Sequence, residues 1–332
     1  SKVREHFGIA NNHEIIFTSG TTHGINIISS GLEKKISSND ELIVSEMEHH
    51  SNIVPWQMLC ENTGAKLKVI PINDNGTLNM EEYKSLLTPN VKFVFVNHVS
   101  NTLGTVNPIK EIIDLAHSNK SQVLVDGAQG AAHLKINLSE LDIDFYVASA
   151  HKLCGPTGVG FLYGKSDLLN SLPPYQGGGE MISNVTFNQT EYADLPHKFE
   201  AGTPNIAGVI AFGVALDYMN SIGFENIDSY ERSLLDYATE NLRQIENIKI
   251  YGDIDEKISV ISFNISNHHP SDVGSILDQF GIAVRTGQHC TQPIMDHFKI
   301  PGTVRASFSF YNTKSEIDLF IDAVKKAAKM LG

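Results

Sequence analysis

Runs of Val, Ile, Leu and Phe alternate with stretches of helical periodicity through the first half of this 332-residue chain. In chain order the runs are EIIFTSG, ELIVSEME, KLKVIPI, KFVFVNHVS, QVLVDGAQ, FYVASAHK and VGFLYGK. Several are continuously apolar, which is typical of strands that are buried on both faces. Strands that alternate with helices predict a mainly parallel α/β sheet, with helices on both sides and right-handed crossovers.

The second half of the chain has a different rhythm. Residues 172–206 are rich in Pro, Gly, Asn and Thr, which predicts a functional or interface loop. A long helix is predicted for about 206–246, and the pattern after it predicts a smaller α/β unit. We therefore predict a remnant of an N-terminal segment at 1–15, a large domain at 16–220 and a small C-terminal domain at 221–332.

The charge balance and the cysteine content exclude several classes of protein. Lys and Arg number 25 against 38 Asp and Glu, a net charge of −13 that disfavours nucleic-acid binding. The chain contains no run of about 18 apolar residues, so no membrane span is predicted, and the first residues contain no apolar leader. The three cysteines form neither a disulfide framework nor a metal-binding pair, so we expect a cytoplasmic protein without a metal.

Polar residues follow the apolar runs, where open α/β sheets bind ligands. The segment TSGTTHG places Gly20 and Thr22 before a helical stretch, which suits a phosphate site, although a simple capped helix is the commoner origin of such a segment. After the next run, His49 could stack on a planar ring or be an ordinary surface residue. Asn101 follows a later run as an uncharged hydrogen-bonding group.

Two further strand ends carry charged residues. Asp126 directly follows QVLV, where a carboxylate is costly to bury unless a cation lies beside it. Lys152 ends another buried run, where partial desolvation would favour a neutral amine able to form a Schiff base, although a solvent-facing lysine explains it as well. A phosphate cradle, a stacking ring, a carboxylate and an amine in chain order are the groups that pyridoxal 5'-phosphate requires.

Cys290 lies in the glycine-bounded segment GIAVRTGQHCTQP. Taken alone, it is either a reactive thiol or a small apolar filler, since free cysteines are often buried. A pyridoxal phosphate site elsewhere in the chain favours the reactive thiol. Arg285 and His289 in the same segment would help to form the thiolate.

Eight motifs along the chain resemble those of the Suf-type (group II) cysteine desulfurases. They are GTTHGIN, MEHHSNIVPWQMLC, HVSNTLGTVNPI, VDGAQG, SAHKLCGPTGVGFLYGK, GGGEMI, FEAGTPN and RTGQHC. The resemblance implies a class-V aminotransferase with the fold type I of pyridoxal phosphate enzymes, in which 16–220 form the cofactor-binding domain with a seven-stranded sheet. It also implies a homodimer that converts L-cysteine to L-alanine and passes sulfur to a Suf-type acceptor protein for iron–sulfur cluster assembly.

The resemblance also implies a role for each matching residue. Cys290 would be the nucleophile and Lys152 the lysine that binds the cofactor, with His49 stacked on the ring, Asp126 on the ring nitrogen and Gln129 on the phenolic oxygen. The phosphate would be held by Thr22, Ser149 and His151, and Thr203 would reach the phosphate of the partner subunit. Asn101 and Arg305 would bind the substrate carboxylate, and Arg285 would lie near the substrate entrance.

The chain departs from the family pattern at three places. The family begins earlier, with a segment that covers the active site, so the motifs are also compatible with a truncated, weakly active interaction protein. His23 replaces a common Glu, and Gln288 replaces a common His beside the nucleophile. The motifs are compatible, too, with a selenocysteine lyase acting on L-selenocysteine and with a class-V aminotransferase, which needs no nucleophilic cysteine.

Overall fold

The computed structural model describes residues 1–332, which form two compact units. The first unit contains Ser1–Ile70, Met80–His98 and Pro108–Gly223. The second contains Pro71–Asn79, Val99–Asn107 and Phe224–Gly332. Two short segments from the first half of the chain thus group with the C-terminal residues. The three-part domain division at 1–15, 16–220 and 221–332 stays a prediction.

The chain forms thirteen strands, and the strands of the first unit match the apolar runs. The strands are β1 (Ile15–Thr18), β2 (Glu41–Ser45), β3 (Lys66–Ile70), β4 (Val91–Asn97), β5 (Gln122–Asp126), β6 (Phe145–Ser149), β7 (Gly160–Gly164), β8 (Ile182–Val185), β9 (Thr190–Tyr192), β10 (Ile248–Tyr251), β11 (Val260–Ile265), β12 (Arg285–Gly287) and β13 (Thr303–Ser307).

Thirteen α-helices and four short 3-10 helices connect the strands. The α-helices are α1 (Lys2–His6), α2 (Thr21–Leu32), α3 (Val54–Thr63), α4 (Met80–Leu86), α5 (Ile109–Ser118), α6 (Gly130–His133), α7 (Leu138–Leu141), α8 (Ser166–Ser171), α9 (Ile206–Ile222), α10 (Phe224–Arg243), α11 (Pro270–Gln279), α12 (Gln292–Phe298) and α13 (Lys314–Leu331). The 3-10 helices are Asn12–Glu14, His50–Asn52, Ala150–Lys152 and His197–Phe199.

The first unit is built on a seven-stranded sheet in the order β1-β7-β6-β5-β4-β2-β3. Strands β3, β2, β4, β5 and β6 are parallel, whereas β7 is antiparallel to both of its neighbours. Every residue of β6 and β7 is buried, as is all of β4 except Lys92. The predicted mainly parallel α/β sheet is therefore confirmed, and its continuously apolar strands reflect burial on both faces.

The register of this sheet brings several strand ends together. Asn97 at the end of β4 pairs with Asp126 at the end of β5, and Asp126 pairs with Val147 of β6. Gly160 of β7 pairs with both Ser149 of β6 and Thr18 of β1. Because four of these strands end at the same edge, the polar residues that follow them lie close together.

The second unit contains a four-stranded antiparallel sheet in the order β10-β11-β13-β12. Its apolar core lies between this sheet and helices α10, α11 and α13, whose inner faces include Leu234, Val273 and Phe320. Strand β12 is at the edge and is short, so the predicted strand IAVRTG is formed only over its last three residues.

Two further elements differ from the sequence prediction. The loop predicted at 172–206 contains an antiparallel hairpin of β8 and β9. The single helix predicted at 206–246 is two helices, because Gly223 adopts a φ of +87° and ends α9. No single helix has the length and apolar composition of a membrane span, and the one helix pair that passes jointly is broken at this glycine.

Candidate active site

Asp126 is the buried carboxyl at the carboxyl-terminal edge of the large sheet. Its Oδ1 accepts a 2.9 Å hydrogen bond from the backbone N–H of Ala128, and the backbone carbonyl of Asp126 accepts from His98 N. Burial raises the pKa of Asp126 to about 6, while the Ala128 N–H and the positive charge of Lys152 oppose the rise. A carboxyl in this position favours a ligand that brings a positive charge.

Lys152 ends the short 3-10 helix that follows β6, and its side chain is exposed in this chain. His151 beside it is also exposed. Burial of part of its imidazole, together with the charge of Lys152, lowers the pKa of the ring. Leu153 is fully buried and ties this helix to the core. The strand end therefore presents the amine while its neighbour is anchored.

The turn between β1 and α2 forms a cradle of backbone and hydroxyl groups. Ser149 Oγ accepts a 2.8 Å hydrogen bond from Thr21 N and lies 2.9 Å from Thr21 Oγ1. Gly20 has a φ of +143°, and a Cβ placed on Gly160 would lie 2.6 Å from its Cα. Both glycines are therefore required for the close approach of β7 to the cradle. Thr22, predicted as a phosphate ligand, is exposed at the start of α2.

Three other predicted residues of the first unit have distinct settings. His49 is half-buried, and its Nδ1 accepts from Ser51 N at 3.1 Å, which places the proton of the neutral ring on Nε2. Gln129 is half-buried at the residue preceding α6. Thr203, which is predicted to reach a partner subunit, is exposed in the loop before α9.

Sequence reasoning missed a buried carboxyl next to His49. Glu48 accepts hydrogen bonds from Asn52 Nδ2 at 2.7 Å, from Asn97 N at 2.8 Å and from Ser45 Oγ. Burial raises its pKa to about 8, and the negative charge of Asp126 contributes to the rise. The motif EMEHHSN contains this residue, but only the hydrogen-bond donors that surround it reveal that it is buried.

His98 was missed as well. It is 8% exposed, its Nδ1 has no hydrogen-bond partner, and burial lowers the pKa of the ring to about 4. A Cβ on Gly130 would lie 2.8 Å from this ring, so only glycine fits at the start of α6. A neutral imidazole is therefore buried beside Gly130, and the backbone N–H of His98 is hydrogen-bonded to the backbone carbonyl of Asp126.

In the second unit, Cys290 lies in a tight turn from Gln288 to Thr291. Thr291 N donates a 2.9 Å hydrogen bond to Gln288 O, and the two central residues have φ values of +55° and +61°. Left-handed backbone costs an L-residue about 1–2 kcal/mol, and such conformations cluster at functional sites. Cys290 is half-buried, and Arg285 Nη2 lies 3.8 Å from its Sγ.

His289 is the other central residue of this turn, and its ring is not directed to solvent. Its Nε2 lies 3.1 Å from the Thr303 carbonyl, so Nε2 carries the proton, and the buried Nδ1 has no partner. Burial lowers the pKa of His289 to about 4, and the positive charges of Arg305 and Arg285 add to that effect. The ring is therefore neutral, with its only basic atom enclosed.

Arg305 and Asn101 lie beside the same turn. Arg305 in β13 pairs with Arg285 in β12, and its Nη1 donates a 2.8 Å hydrogen bond to the backbone carbonyl of Asn101. Burial lowers the pKa of Arg305, and its Nε is a buried donor without a partner. Such a donor suits an anionic ligand. The side-chain amide of Asn101 donates a 2.8 Å hydrogen bond to the backbone carbonyl of His289.

The predicted residues thus fall into two groups. One group lies at the strand ends of the first unit and the other surrounds the Cys290 turn of the second. The first comprises Thr22, His49, Asp126, Gln129, Ser149, His151, Lys152 and Thr203. The second comprises Asn101, Arg285, Cys290 and Arg305. No cluster of three or more His, Cys, Asp or Glu side chains could hold a metal ion.

The family follows from comparison with known proteins. Residues 1–320 match the model of the aminotransferase class-V family. Cysteine desulfurases from Cronobacter sakazakii and Salmonella agona are each 48% identical over 321 residues, which is 96% of this chain and 79% of each relative. The chain therefore belongs to the class-V aminotransferase family, among its cysteine desulfurases.

Solved structures agree with this assignment. The S-sulfonic acid form of the cysteine desulfurase CsdA from Escherichia coli superposes with a TM-score of 0.95 at 38% identity, covering 99% of this chain and 82% of that one. Apo cysteine desulfurase from Thermococcus onnurineus gives a TM-score of 0.96 at 35% identity, with the same coverages. The predicted fold and enzyme family are confirmed, whereas the Suf-type subgroup stays a prediction.

Class-V aminotransferases are pyridoxal phosphate enzymes, and the residues of the first unit fit this cofactor. Asp126 is a buried carboxyl that a protonated ring nitrogen would complement, and Lys152 is an exposed amine near it. The cradle around Gly20 supplies backbone N–H and hydroxyl groups at the start of a helix, which suits a phosphate. The cofactor predicted from the sequence is therefore supported by the donor set.

Proposed function

We propose that the chain is a pyridoxal phosphate-dependent cysteine desulfurase of the Suf type, which converts L-cysteine to L-alanine and leaves a persulfide on Cys290. One observation carries the proposal. Cys290 is held in a left-handed turn with the Arg285 guanidinium 3.8 Å from its sulfur. A class-V aminotransferase that only exchanges amino groups has no use for such a thiol.

The sulfur step balances without an external oxidant. The thiolate of Cys290 attacks the sulfur of the substrate, and a new S–S bond forms. The substrate C–S bond breaks, its electron pair goes to the substrate carbon, and protonation of that carbon leads to alanine. A positive charge beside the attacking sulfur stabilises the thiolate, and Arg285 supplies it.

When bound, pyridoxal phosphate supplies an electron sink that stabilises negative charge at the substrate Cα. Asp126 would hold the ring nitrogen protonated, because the ion pair satisfies both buried charges. Lys152 would bind the cofactor covalently, and its amine would serve as the base for the substrate Cα proton. His49 would cover one face of the ring, with Ser51 fixing its imidazole.

The remaining contacts follow the sequence prediction. Ser149, His151 and Thr22 would hold the phosphate, and Gln129 would contact the phenolic oxygen. The cradle observed between Thr21 and Ser149 supports the phosphate assignment. Arg305 would bind the substrate carboxylate, an assignment that its buried, unpaired Nε supports. Asn101 would join it through its position beside the same guanidinium.

The biological setting is proposed on chemical grounds. A persulfide must pass to another thiol, so we propose a Suf-type acceptor protein and a role in iron–sulfur cluster assembly. A homodimer would bring Thr203 to the phosphate of the partner subunit, and the exposure of Thr203 supports this. None of the three cysteines forms a disulfide, which favours the reducing cytoplasm.

The test uses purified protein loaded with pyridoxal phosphate and incubated with L-cysteine and a reductant. Alanine and persulfide-derived sulfide should form in equal amounts. Cys290→Ala should abolish both products, whereas Cys60→Ala and Cys154→Ala, at the other two cysteines, should retain them. Lys152→Ala should lose the visible absorbance of the bound cofactor. If the wild-type protein forms no more alanine than free cofactor does, the proposal fails.

A parallel incubation with L-selenocysteine tests the nearest competing activity. If the protein is a selenocysteine lyase, its Cys290→Ala variant should still release alanine from L-selenocysteine. A cysteine desulfurase loses its reaction with L-cysteine in that variant. The ratio of the two activities in wild type and Cys290→Ala therefore assigns the physiological substrate class.

A further inference from the structure

The turn that carries Cys290 has an unfavourable backbone conformation. Its two central residues, His289 and Cys290, are both left-handed although neither is glycine. Left-handed pairs in tight turns normally use Asn or Gly. Groups outside the turn must therefore supply the free energy that keeps it in this conformation.

Two hydroxyls form a directed chain that ends at this turn. Thr291 Oγ1 donates a 2.9 Å hydrogen bond to the Gln288 carbonyl, and it lies 2.6 Å from Thr102 Oγ1. Because the Thr291 proton is used on Gln288, Thr102 is the donor between the two threonines. The chain thus runs from Thr102 through Thr291 to the carbonyl that opens the turn.

Thr102 is well placed to hold the turn rigidly. Both threonines are fully buried, so no water competes for their hydroxyls. The backbone carbonyl of Thr102 accepts a 2.6 Å hydrogen bond from Ser262 in β11, the strand next to β13. Thr102 therefore connects the turn to β11, an interior strand of the sheet.

We propose that Thr102 and Thr291 are positioning residues that hold Cys290 beside Arg285 for attack on the substrate sulfur. The inference rests on the proposed role of Cys290 as the nucleophile. It assigns the hydroxyl pair to the sulfur-transfer step and to neither cofactor binding nor substrate affinity. Neither threonine touches Cys290 Sγ; each acts through the backbone of the turn.

The structure offers a matched control. Thr105 lies in the same segment, is 1% exposed and donates a 2.9 Å hydrogen bond to the Gly76 carbonyl. It makes the same kind of buried bond, but its hydroxyl is bonded to Gly76 and not to the Cys290 turn. Thr105→Val should therefore reproduce the general cost of losing a buried hydroxyl without the effect on the thiol.

The experiment compares Thr102→Val, Thr102→Ser, Thr291→Val and Thr105→Val in the pyridoxal phosphate-loaded protein, all with Cys60→Ser and Cys154→Ser so that one thiol reports. Two readouts are measured: kcat and KM for L-cysteine, and the pH profile of alkylation of Cys290 by iodoacetamide. The charged and titratable groups around the turn, Arg285, His289 and Arg305, are unchanged in every variant.

In Thr102→Val and Thr291→Val, kcat should fall about tenfold while KM changes by less than about twofold. The midpoint of alkylation should move to higher pH, because Sγ leaves the guanidinium of Arg285. Thr102→Ser should restore both readouts, and Thr105→Val should match the reference protein in both.

The inference is overturned if Thr102→Val and Thr291→Val match Thr105→Val in both readouts. It is also overturned if they raise KM and leave the alkylation profile unmoved. If Thr102→Val does not fold, the same two readouts in Thr291→Val and Thr102→Ser test the inference. A wild-type protein that makes no alanine defeats the proposed function instead, and the alkylation profile then still decides whether the hydroxyls position the thiol.

Discussion

The side-chain amide of Asn101 donates a 2.8 Å hydrogen bond to the carbonyl of His289, the residue before the proposed nucleophile. The backbone carbonyl of Asn101 accepts from Arg305, the proposed carboxylate ligand. One residue thus contacts both the guanidinium and the Cys290 turn. Asn101 therefore links the proposed carboxylate ligand to the turn of the proposed nucleophile.

Replacement of Asn101 separates its two possible roles. Because its amide is engaged with His289, we expect Asn101→Ala to lower kcat about tenfold and to raise KM for cysteine by less than about threefold. Arg305→Lys, which loses the planar fork, should mainly raise KM. Steady-state kinetics of the two variants measures this, and a rise in KM without loss of kcat in Asn101→Ala would favour carboxylate binding.

Asp126→Asn should weaken cofactor binding by at least about tenfold, because a buried ion pair with the ring nitrogen is lost. In the cofactor-free protein the same change should be stabilising at neutral pH. Burial raises the pKa of Asp126 to about 6, so stability declines as pH rises from the ordinary carboxyl range through 6.

Denaturant unfolding of the cofactor-free protein at a series of pH values checks the second part. As pH rises from the ordinary carboxyl range through 6, the wild-type protein should lose stability relative to Asp126→Asn. Below that pH range the difference between the two proteins should stay constant. A difference between the two proteins that does not depend on pH would contradict the expected ionisation of Asp126.

Glu48 should impose a second pH dependence. Because burial raises its pKa to about 8, the unfolded state binds fewer protons than the folded state between about pH 4.5 and 8, and stability falls as pH rises. Glu48→Gln should flatten this slope. Ser45→Ala removes a hydrogen bond that lowers the pKa of Glu48, so it should extend the decline to higher pH.

The two variants of this site move the slope in opposite directions. Thermal unfolding of the cofactor-free protein from pH 5 to about pH 9 measures it. Parallel curves for wild type, Glu48→Gln and Ser45→Ala would show that Glu48 does not titrate in this range.

Gly127 tests how closely the site is packed. A Cβ at this position would lie 1.9 Å from Cζ of the buried Tyr146, and the residue directly follows Asp126. Gly127→Ala should therefore cost about 3 kcal/mol of stability and displace the carboxyl, weakening cofactor binding. Gly179→Ala has no atom within 4 Å of its Cβ and should leave both quantities unchanged.

The strand-end residues were predictable because the hydrophobic periodicity of a strand, and hence its expected burial, follows from residues that are adjacent in the sequence. Continuous apolar runs indicated a parallel sheet, and a parallel sheet brings the residues after its strands to one edge. Asp126 and Lys152 could be singled out in this way, since a charge directly after a buried run is unusual. The motifs then predicted an enzyme family that the comparisons confirm.

Other features depended on residues far apart in the chain. The hydroxyl bond from Thr102 to Thr291 joins positions 189 residues apart, and that from Ser262 to Thr102 spans 160. Glu48 looks like a surface residue in a polar motif, yet three donors from β2, β4 and a 3-10 helix enclose it. No local pattern encodes such contacts.

The sequence by itself therefore determined the fold class and the enzyme family, and it singled out the chemical groups that are proposed to serve the reaction. Only the tertiary structure decided their surroundings: which carboxyls are buried, that the His289 ring is neutral and enclosed, and that the backbone of Cys290 is left-handed. The reason is physical, because residue type and spacing follow from covalent order, whereas desolvation and backbone strain depend on which distant groups pack against each residue.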